Sequence, residues 1–134
     1  MLTTEDRQQI ASTLALHAHL SDENQFDRLD ELFVDDAVYD MRPSGIGIFE
    51  GIDVIRAGAE RIMTSGHAPT AHFLTNVLID EGADDTATAK SKGLMIMHDG
   101  SLHAVVYDDT LRRENGRWLI SRRVITPSTP AAAR

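Results

Sequence analysis

The stretch TAHFLTNVLID, residues 70–80, has the side-chain period of two that is typical of a β-strand. Alternate side chains of a strand point to the same face, so His72 and Asn76 share one face with Leu74 and Leu78. We assign this face to the interior because it carries the leucines. A histidine and an amide on such a face are expected beside a ligand cavity. A histidine that is simply packed in the core would give the same pattern.

The chain after residue 80 continues this period of two and is divided by turn signals. The segments EGADD, HDGS and ENGR are rich in turn-forming residues. Asp99-Gly100 and Asn115-Gly116 suit two-residue hairpin turns, which need positive φ at both central positions. The pattern therefore predicts an antiparallel meander with strands over residues 70–80, 85–97, 102–113 and 117–126.

The first half of the chain shows the three- and four-residue apolar spacing of helices. Thr4, followed by two acids, predicts a helix start, and the apolar stripe runs to about Leu20 with His17 on it. Further helices are predicted over residues 25–33 and 52–64, separated by a short strand, VYDM, and the loop RPSGIGIFEG. Three helices packed on a curved, mainly antiparallel sheet indicate an α+β domain that encloses a pocket at its open end.

Composition limits the classes of function. With 134 residues and no cysteine, the chain has the size of one domain, expected over residues 1–126 with a loose tail over 127–134. The formal charge of −8 disfavours nucleic acid and membrane surfaces as partners. No apolar run approaches the roughly 18 residues of a membrane helix. The acidic N-terminus MLTTEDRQQI does not look like a secretory signal, so we expect a cytoplasmic protein.

The common catalytic motifs are missing from the sequence: it has no phosphate loop, dinucleotide fingerprint, HExxH or GxSxG. His17 and His19 lie two apart on a predicted helix and point to different faces, so we expect no metal site. His72 would need a carboxylate to orient its ring before it could act as a base. Asp22, at the end of the first helix, could supply that group, although spacing alone does not show that the two meet.

Three segments together resemble the SnoaL-like branch of the NTF2-like superfamily. They are LALHAHLSDENQFDRLDELFVDDAVYDM, TAHFLTNVLID and YDDTLRRENGRWLISRR. The resemblance covers the chain from about Thr4 to Ile125 and implies a cone of curved sheet and helices around a hydrophobic pocket. The superfamily includes dehydratases, an isomerase, an epoxide hydrolase, polyketide cyclases and dioxygenase subunits, so fold alone does not identify the reaction.

Particular members of the superfamily make the resemblance more specific. Scytalone dehydratase, bile acid 7α-dehydratase and hexachlorocyclohexane dehydrochlorinase use an Asp–His dyad for elimination, and Asp22 and His72 fall on those positions. The dehydrochlorinase also has an arginine after the W-x-x-S of its final strand, which matches Arg123. His17 takes the place of a lysine in the dehydrochlorinase and of a tyrosine in the bile acid enzyme.

The chain departs from two members of the superfamily. Ser21 and Met41 replace the tyrosines with which scytalone dehydratase binds a water on its substrate's carbonyl, and Val105 and Tyr107 replace its pocket serine and asparagine. Ketosteroid isomerase needs an aspartate where the ungapped register has Met41. Asp40 is one residue away, and a one-residue slip reverses the face of a strand. Both of those reactions are therefore disfavoured.

The resulting hypothesis is a lyase or isomerase that uses an Asp–His dyad for dehydratase-type elimination on a cyclic or polyketide-like substrate. It needs no cofactor, and its partner is a small hydrophobic or cyclic ligand. The residues expected to act in catalysis are Asp22, His72, Arg123 and His17. The residues expected to bind the substrate are Asn76, Tyr107, Met41, Leu74 and Val105.

The alternative is a non-catalytic domain for ligand binding or assembly, in which His72 and Asp22 only satisfy each other. Many members of the superfamily pair through the outer face of the sheet. Trp118, Ile120 and Val106 would suit such an interface, so we expect a homodimer or a higher homo-oligomer.

Overall fold

The computed structural model describes residues 1–128, which form α-helices, short 3-10 helices and one six-stranded sheet. The α-helices are α1 (Thr4–Asp22) and α2 (Ile52–Thr64), and the 3-10 helices span Phe26–Glu31 and Arg42–Ser44. The strands are β1 (Phe33–Asp40), β2 (Ile48–Glu50), β3 (Ala71–Glu81), β4 (Thr86–Ile96), β5 (Leu102–Glu114) and β6 (Arg117–Pro127). The predicted α+β class is confirmed.

The N-cap of helix α1 lies one residue before the predicted position, Thr4. Thr3 is the N-cap: its side chain accepts the N–H of Asp6 at 3.0 Å, and Asp6 accepts the N–H of Thr3 at 2.8 Å. Asp6 also accepts the indole N–H of Trp118 at 3.1 Å, which ties the start of α1 to the last strand. The side chains of α1 that are buried are Asp6, Ile10, Leu14, His17 and Leu20.

The second predicted helix is shorter than expected and has 3-10 geometry over Phe26–Glu31. Phe26 and Leu29 are its buried residues. A three-residue spacing places both on one side of a 3-10 helix, so this short turn covers the core without a full α-helix.

The sheet has the strand order β2-β1-β6-β5-β4-β3. Strands β3 to β6 form the predicted antiparallel meander, whereas β1 pairs in parallel with β6. Asn115 and Gly116 both have positive φ, as their turn requires. The expectation for Asp99-Gly100 was wrong, because only Gly100 has positive φ there. A longer turn closes that hairpin, with the N–H of Met97 donating to the carbonyl of Ser101 at 2.9 Å.

Strand β3 contains a bulge that corrects the predicted inner face. The β3–β4 register shifts between Thr75 and Leu78, and Asn76 lies in the left-handed region with φ of 56°. Beyond this point Val77 and Ile79 pack against the core, while Leu78 is 66% exposed and Asn76 is also exposed. A bulge of this kind exchanges the two faces of a strand, so the prediction holds only up to the bulge.

The proposed dimer interface is also corrected in its residues. Trp118 and Ile120 are buried in the main core, with 2% and 0% exposure, and Val106 is partly buried. Trp118 and Ile120 therefore cannot form a surface for a second copy. The apolar pair on the outer face of the sheet is instead Phe73 with Leu94, which lie opposite each other in β3 and β4. Dimer formation itself stays a prediction.

The last strand continues slightly past the expected end of the domain. Pro127 ends β6, and the N–H of Ser128 donates to the carbonyl of Ala104 at 2.8 Å. Residues 129–134, which make up most of the expected tail, lie outside the described residues. Within the part of the chain that the structure describes, none of the helices combines the length and apolarity needed to span a bilayer.

Candidate functional site

The inner face of the sheet, helix α2 and the last turns of α1 border a cavity of about 950 Å³. Its volume lies at the upper end of the range of about 300–1,000 Å³ typical of small-molecule sites. Much of its wall is apolar and flexible, because four methionines line it: Met41, Met63, Met95 and Met97. The polar residues that line its inner part are His17, Ser21, Asp22, Tyr39, His72 and Tyr107.

Asp22 and His72 meet at this cavity, although they are 50 residues apart in sequence. Asp22 is the last residue of α1, and its Oδ1 lies 2.5 Å from Nδ1 of His72. Both carboxylate oxygens also accept the main-chain N–H of His72, at 3.1 and 3.0 Å. Since Nδ1 faces the carboxylate, Nε2 is the ring nitrogen left for a ligand, and it has no hydrogen-bond partner among residues 1–128.

The dyad is neither sealed in the core nor fully solvated. The side chain of His72 is 16% exposed and that of Asp22 is 25% exposed. A carboxylate that holds Nδ1 fixes the orientation of the imidazole and stabilises its charged form. The geometry therefore suits transfer of a proton between Nε2 and a molecule in the cavity.

His17 lies beside the dyad as a second, uncharged imidazole. Its ring centroid is 6.4 Å from that of His72, and its Nε2 lies 3.3 Å from the hydroxyl of Tyr39. Burial, followed by the charges of Arg123 and His72, holds the pKa of His17 well below its usual range. His17 is therefore neutral at pH 7. It can form a hydrogen bond with Tyr39 but supplies no positive charge to the cavity.

Arg123 does not occupy the position expected for a direct catalytic role. It has 0% exposure, is absent from the cavity wall, and binds Asp109 through two hydrogen bonds of 2.7 and 3.0 Å. Burial works against its charge, but the ion pair with Asp109 outweighs this and raises the pKa of Arg123. Its guanidinium stacks on the ring of Tyr107, 4.2 Å from the ring centroid. Arg123 acts on the cavity only through Tyr107 and its charge.

The five residues expected to bind substrate fall into three groups. Met41, Val105 and Tyr107 line the cavity. Leu74 does not reach the cavity wall but packs against the small hydrophobic cluster formed by Val105, Tyr107 and Ile125. Asn76 lies outside the cavity, because the bulge in β3 turns it to solvent, and its assignment as a substrate-binding residue was wrong.

Tyr39 is the cavity residue that sequence reasoning missed. It belongs to β1, which runs from Phe33 and is longer than the four-residue strand predicted, and it lies opposite Arg123 in the parallel pairing with β6. Burial raises the pKa of Tyr39, so its hydroxyl remains protonated at neutral pH. The sequence signals this position only by a tyrosine in an alternating strand. Strands β1 and β6 pair in parallel, so no hairpin turn joins them and no turn residues mark their pairing.

The outer end of the cavity is lined by three more histidines, His67, His98 and His103. His98 Nδ1 lies 3.4 Å from the hydroxyl of Thr70. Within residues 1–128, no three histidine or acidic side chains are grouped closely enough to hold a metal ion. These imidazoles therefore give the entrance polar character without forming a metal centre.

Comparison with known proteins places this geometry in a family. The SnoaL-like domain profile matches residues 2–124. Among solved structures, a protein proposed to be an aromatic ring hydroxylase from Novosphingobium aromaticivorans is 26% identical, with a TM-score of 0.81 over 97% of this chain and 94% of that one. An NTF2-like protein with a cystatin-like fold from the same species is 27% identical, with a TM-score of 0.78 over 96% and 86%.

A third solved structure, proposed to be a scytalone dehydratase from the same species, is 23% identical, with a TM-score of 0.79 over 92% of this chain and 85% of that one. At this identity the likeness shows the shared fold alone. No curated protein matches the sequence. The match of the domain profile to almost the whole chain, together with the fold of these structures, shows that the chain belongs to the SnoaL-like domain family of the NTF2-like superfamily.

Proposed function

We propose that the protein is a small-molecule lyase or isomerase in which Asp22 and His72 act as a catalytic dyad. The observation that carries this proposal is the contact of 2.5 Å between Asp22 and the ring of His72 at the wall of a large, mainly apolar cavity. This arrangement leaves Nε2 of His72 without a hydrogen-bond partner in the described part of the chain, so that it can exchange a proton with a bound ligand.

The proposed reaction starts with transfer of a proton from carbon to Nε2 of His72. The electron pair of the C–H bond becomes part of a new C=C bond, and a leaving group on the next carbon departs with its own bonding pair. The imidazolium of His72, stabilised by Asp22, then gives its proton to a departing hydroxyl, which leaves as water. In an isomerase the same proton would return to a different carbon.

The cavity favours a ring-containing substrate, because aromatic, aliphatic and methionine side chains form much of its wall. The 26% identity with the proposed aromatic ring hydroxylase is in keeping with such a ligand. The chemistry described here needs only proton transfer, which His72 and Asp22 can supply.

The test compares the wild type with His72→Ala and Asp22→Asn on a panel of cyclic β-hydroxy carbonyl and halogenated ring compounds. We expect turnover of at least one compound by the wild type and its loss in both variants, which remain folded. General base catalysis contributes on the order of a hundred- to ten-thousandfold, so the loss will be large. Equal turnover in all three proteins would remove the dyad from the mechanism.

A ligand-binding protein without catalysis is the second candidate, because the cavity could hold a guest of considerable size without any reaction. Binding of panel compounds by the wild type, with no product formed over days, would favour this candidate. Binding can be measured by calorimetry and product formation by mass spectrometry on the same samples.

A further inference from the structure

The ring of Tyr107 is held in a slot between Arg123 and Gly93. Arg123 Cζ lies 4.2 Å from the centre of the ring. A Cβ atom built on Gly93 would lie 2.5 Å from Cε2 of Tyr107 and 2.8 Å from its hydroxyl oxygen, closer than packed atoms approach each other. Only glycine at position 93 leaves room for the ring, so the hydroxyl of Tyr107 has a fixed place at the cavity wall.

The hydroxyl of Tyr107 has no hydrogen-bond partner among residues 1–128, although Tyr107 is only 4% exposed. Two neighbouring polar groups already have partners: the hydroxyl of Tyr39 is paired with His17, and Nδ1 of His72 is paired with Asp22. The buried side-chain atoms without a partner among the described residues are Oγ of Ser91 and Nη1 of Arg123, so the unpaired hydroxyl of Tyr107 is open to the cavity, where a ligand or water can pair with it. The hydroxyl of Tyr107 can therefore donate a hydrogen bond to an acceptor in the cavity.

The charges around Tyr107 favour donation to an oxygen that carries negative charge. The guanidinium of Arg123 lies against one face of the ring, although Asp109 compensates part of its charge. One nitrogen of that guanidinium, Nη1, is buried and has no partner within the described residues. Burial raises the pKa of Tyr107, so the hydroxyl keeps its proton and donates a hydrogen bond without giving the proton away.

Tyr107 and His72 border the same part of the cavity. Their ring centroids each lie 6.4 Å from the centroid of His17. Both side chains line the cavity beside His17, which is the geometric basis for placing them against one bound ligand.

We propose that the hydroxyl of Tyr107 binds a carbonyl or phenolate oxygen of the ligand, and that the substrates are cyclic ketones or phenol-like ring compounds. This inference rests on the proposed function and deepens it. When His72 takes the proton from the carbon beside the carbonyl, the C–H pair forms a C=C bond and the carbonyl pair moves to oxygen. Tyr107 then donates its hydrogen bond to that anionic oxygen, where it is stronger than to the neutral ketone.

The test is the binding of 4-nitrophenolate at pH 8. Binding is measured by calorimetry and by the visible absorption of the bound phenolate. Four proteins are compared: the wild type, Tyr107→Phe, Tyr39→Phe and His72→Gln. We expect Tyr107→Phe to weaken binding about tenfold or more, which corresponds to about 1.4 kcal/mol. Tyr39→Phe is the matched control, because its hydroxyl is already paired with His17, and it is expected to change binding less than threefold.

Three results would overturn the inference. The affinity for 4-nitrophenolate could fall less than threefold in Tyr107→Phe, it could fall equally in both tyrosine variants, or the wild type could fail to bind. Thermal unfolding confirms that every variant is folded. His72→Gln removes the base and not the donor, so its turnover of the cyclic panel compounds tests the proposed reaction, while the comparison of the two tyrosine variants tests this inference. Phenolate binding therefore tests the role of Tyr107, and turnover tests the Asp22–His72 dyad. Failure of one can be distinguished from failure of the other.

Discussion

The carboxylate of Asp22 contacts His72 at two places, the ring nitrogen Nδ1 and the main-chain N–H. The end of α1 is thereby attached to β3 by the same group that orients the imidazole. One side chain fixes both the position of the strand and the direction in which Nε2 points. An asparagine at position 22 can still accept the main-chain N–H but cannot stabilise the imidazolium as a carboxylate does, so this replacement should affect turnover more than folding.

Asp22→Asn should lower kcat by on the order of a hundredfold or more, because an amide does not stabilise the imidazolium of His72 as a carboxylate does. The free energy of unfolding should fall by about 1 kcal/mol or less, since the amide oxygen can still accept the main-chain N–H. Steady-state kinetics and urea titration measure the two quantities. Asp80→Asn, an exposed change of the same type on β3, is the control. A kcat in Asp22→Asn equal to that of Asp80→Asn would contradict the account.

His17 should make the protein less stable in mild acid. Its pKa is lowered in the folded protein by burial and by the charges of Arg123 and His72, so the unfolded chain binds this proton at a higher pH. The stability is fully present above the unfolded pKa of about 6.5 and is lost as pH falls below it. Each pH unit below about 6 should reduce the free energy of unfolding by up to about 1.4 kcal/mol through this group.

The measurement is denaturant unfolding of the wild type and of His17→Gln between pH 5 and pH 8. We expect the difference in unfolding free energy between the two proteins to move in favour of His17→Gln as the pH decreases. A difference that stays constant over this range would show that His17 is protonated as easily in the folded protein as in the unfolded chain.

Gly93→Ala should destabilise the protein by about 1–3 kcal/mol, because its new methyl group overlaps the ring of Tyr107. The double variant Gly93→Ala/Tyr107→Ala removes the ring that causes the overlap. In a double-mutant cycle from urea titrations, the cost of Gly93→Ala should fall by at least about 1 kcal/mol in the Tyr107→Ala background. An unchanged cost would mean that the methyl group is accommodated in another way.

Asn76 should matter for stability and not for ligand binding. Its φ of 56° is strained for β-branched residues, so Asn76→Val should cost about 1–2 kcal/mol, whereas Asn76→Gly should be close to neutral. Both variants should bind ring compounds as the wild type does, because the side chain lies outside the cavity. Loss of binding in a folded Asn76→Gly variant would restore the role in substrate binding that the structure rejects.

The meander could be predicted from the sequence because its period of two is local and its turns have characteristic residues, as at Asn115-Gly116. Helix α2 was equally visible, with its expected limits of 52–64 matched by Ile52–Thr64. Features that depend on contacts between distant parts of the chain were harder to predict from the sequence. The contact between Asp22 and His72 was expected from the family resemblance, and no spacing in the sequence shows it.

Two bulges explain the errors at Arg123 and Asn76. Counted back from the turn at Asn115-Gly116, a regular hairpin pairs Arg123 with Asp108. The bulge between Thr110 and Leu111 shifts the register, so that Arg123 lies opposite Asp109 and both are buried. The segment LRRENGRWLISRR, residues 111–123, carries five arginines, and its pattern gave no sign that Arg123 is a core residue. The bulge at Asn76 was hidden for the same reason, since an asparagine in a strand does not reveal its φ.

The central claim, that His72 removes a proton from carbon, is tested most directly by hydrogen exchange in heavy water. Cyclic ketones are incubated with the wild type, His72→Ala and Asp22→Asn, and loss of the C–H signal beside the carbonyl is followed by proton NMR. The account predicts that the wild type exchanges at least one ketone faster than solvent alone, and that His72→Ala reduces this rate by on the order of a hundredfold or more. Exchange by His72→Ala at the wild-type rate would contradict it.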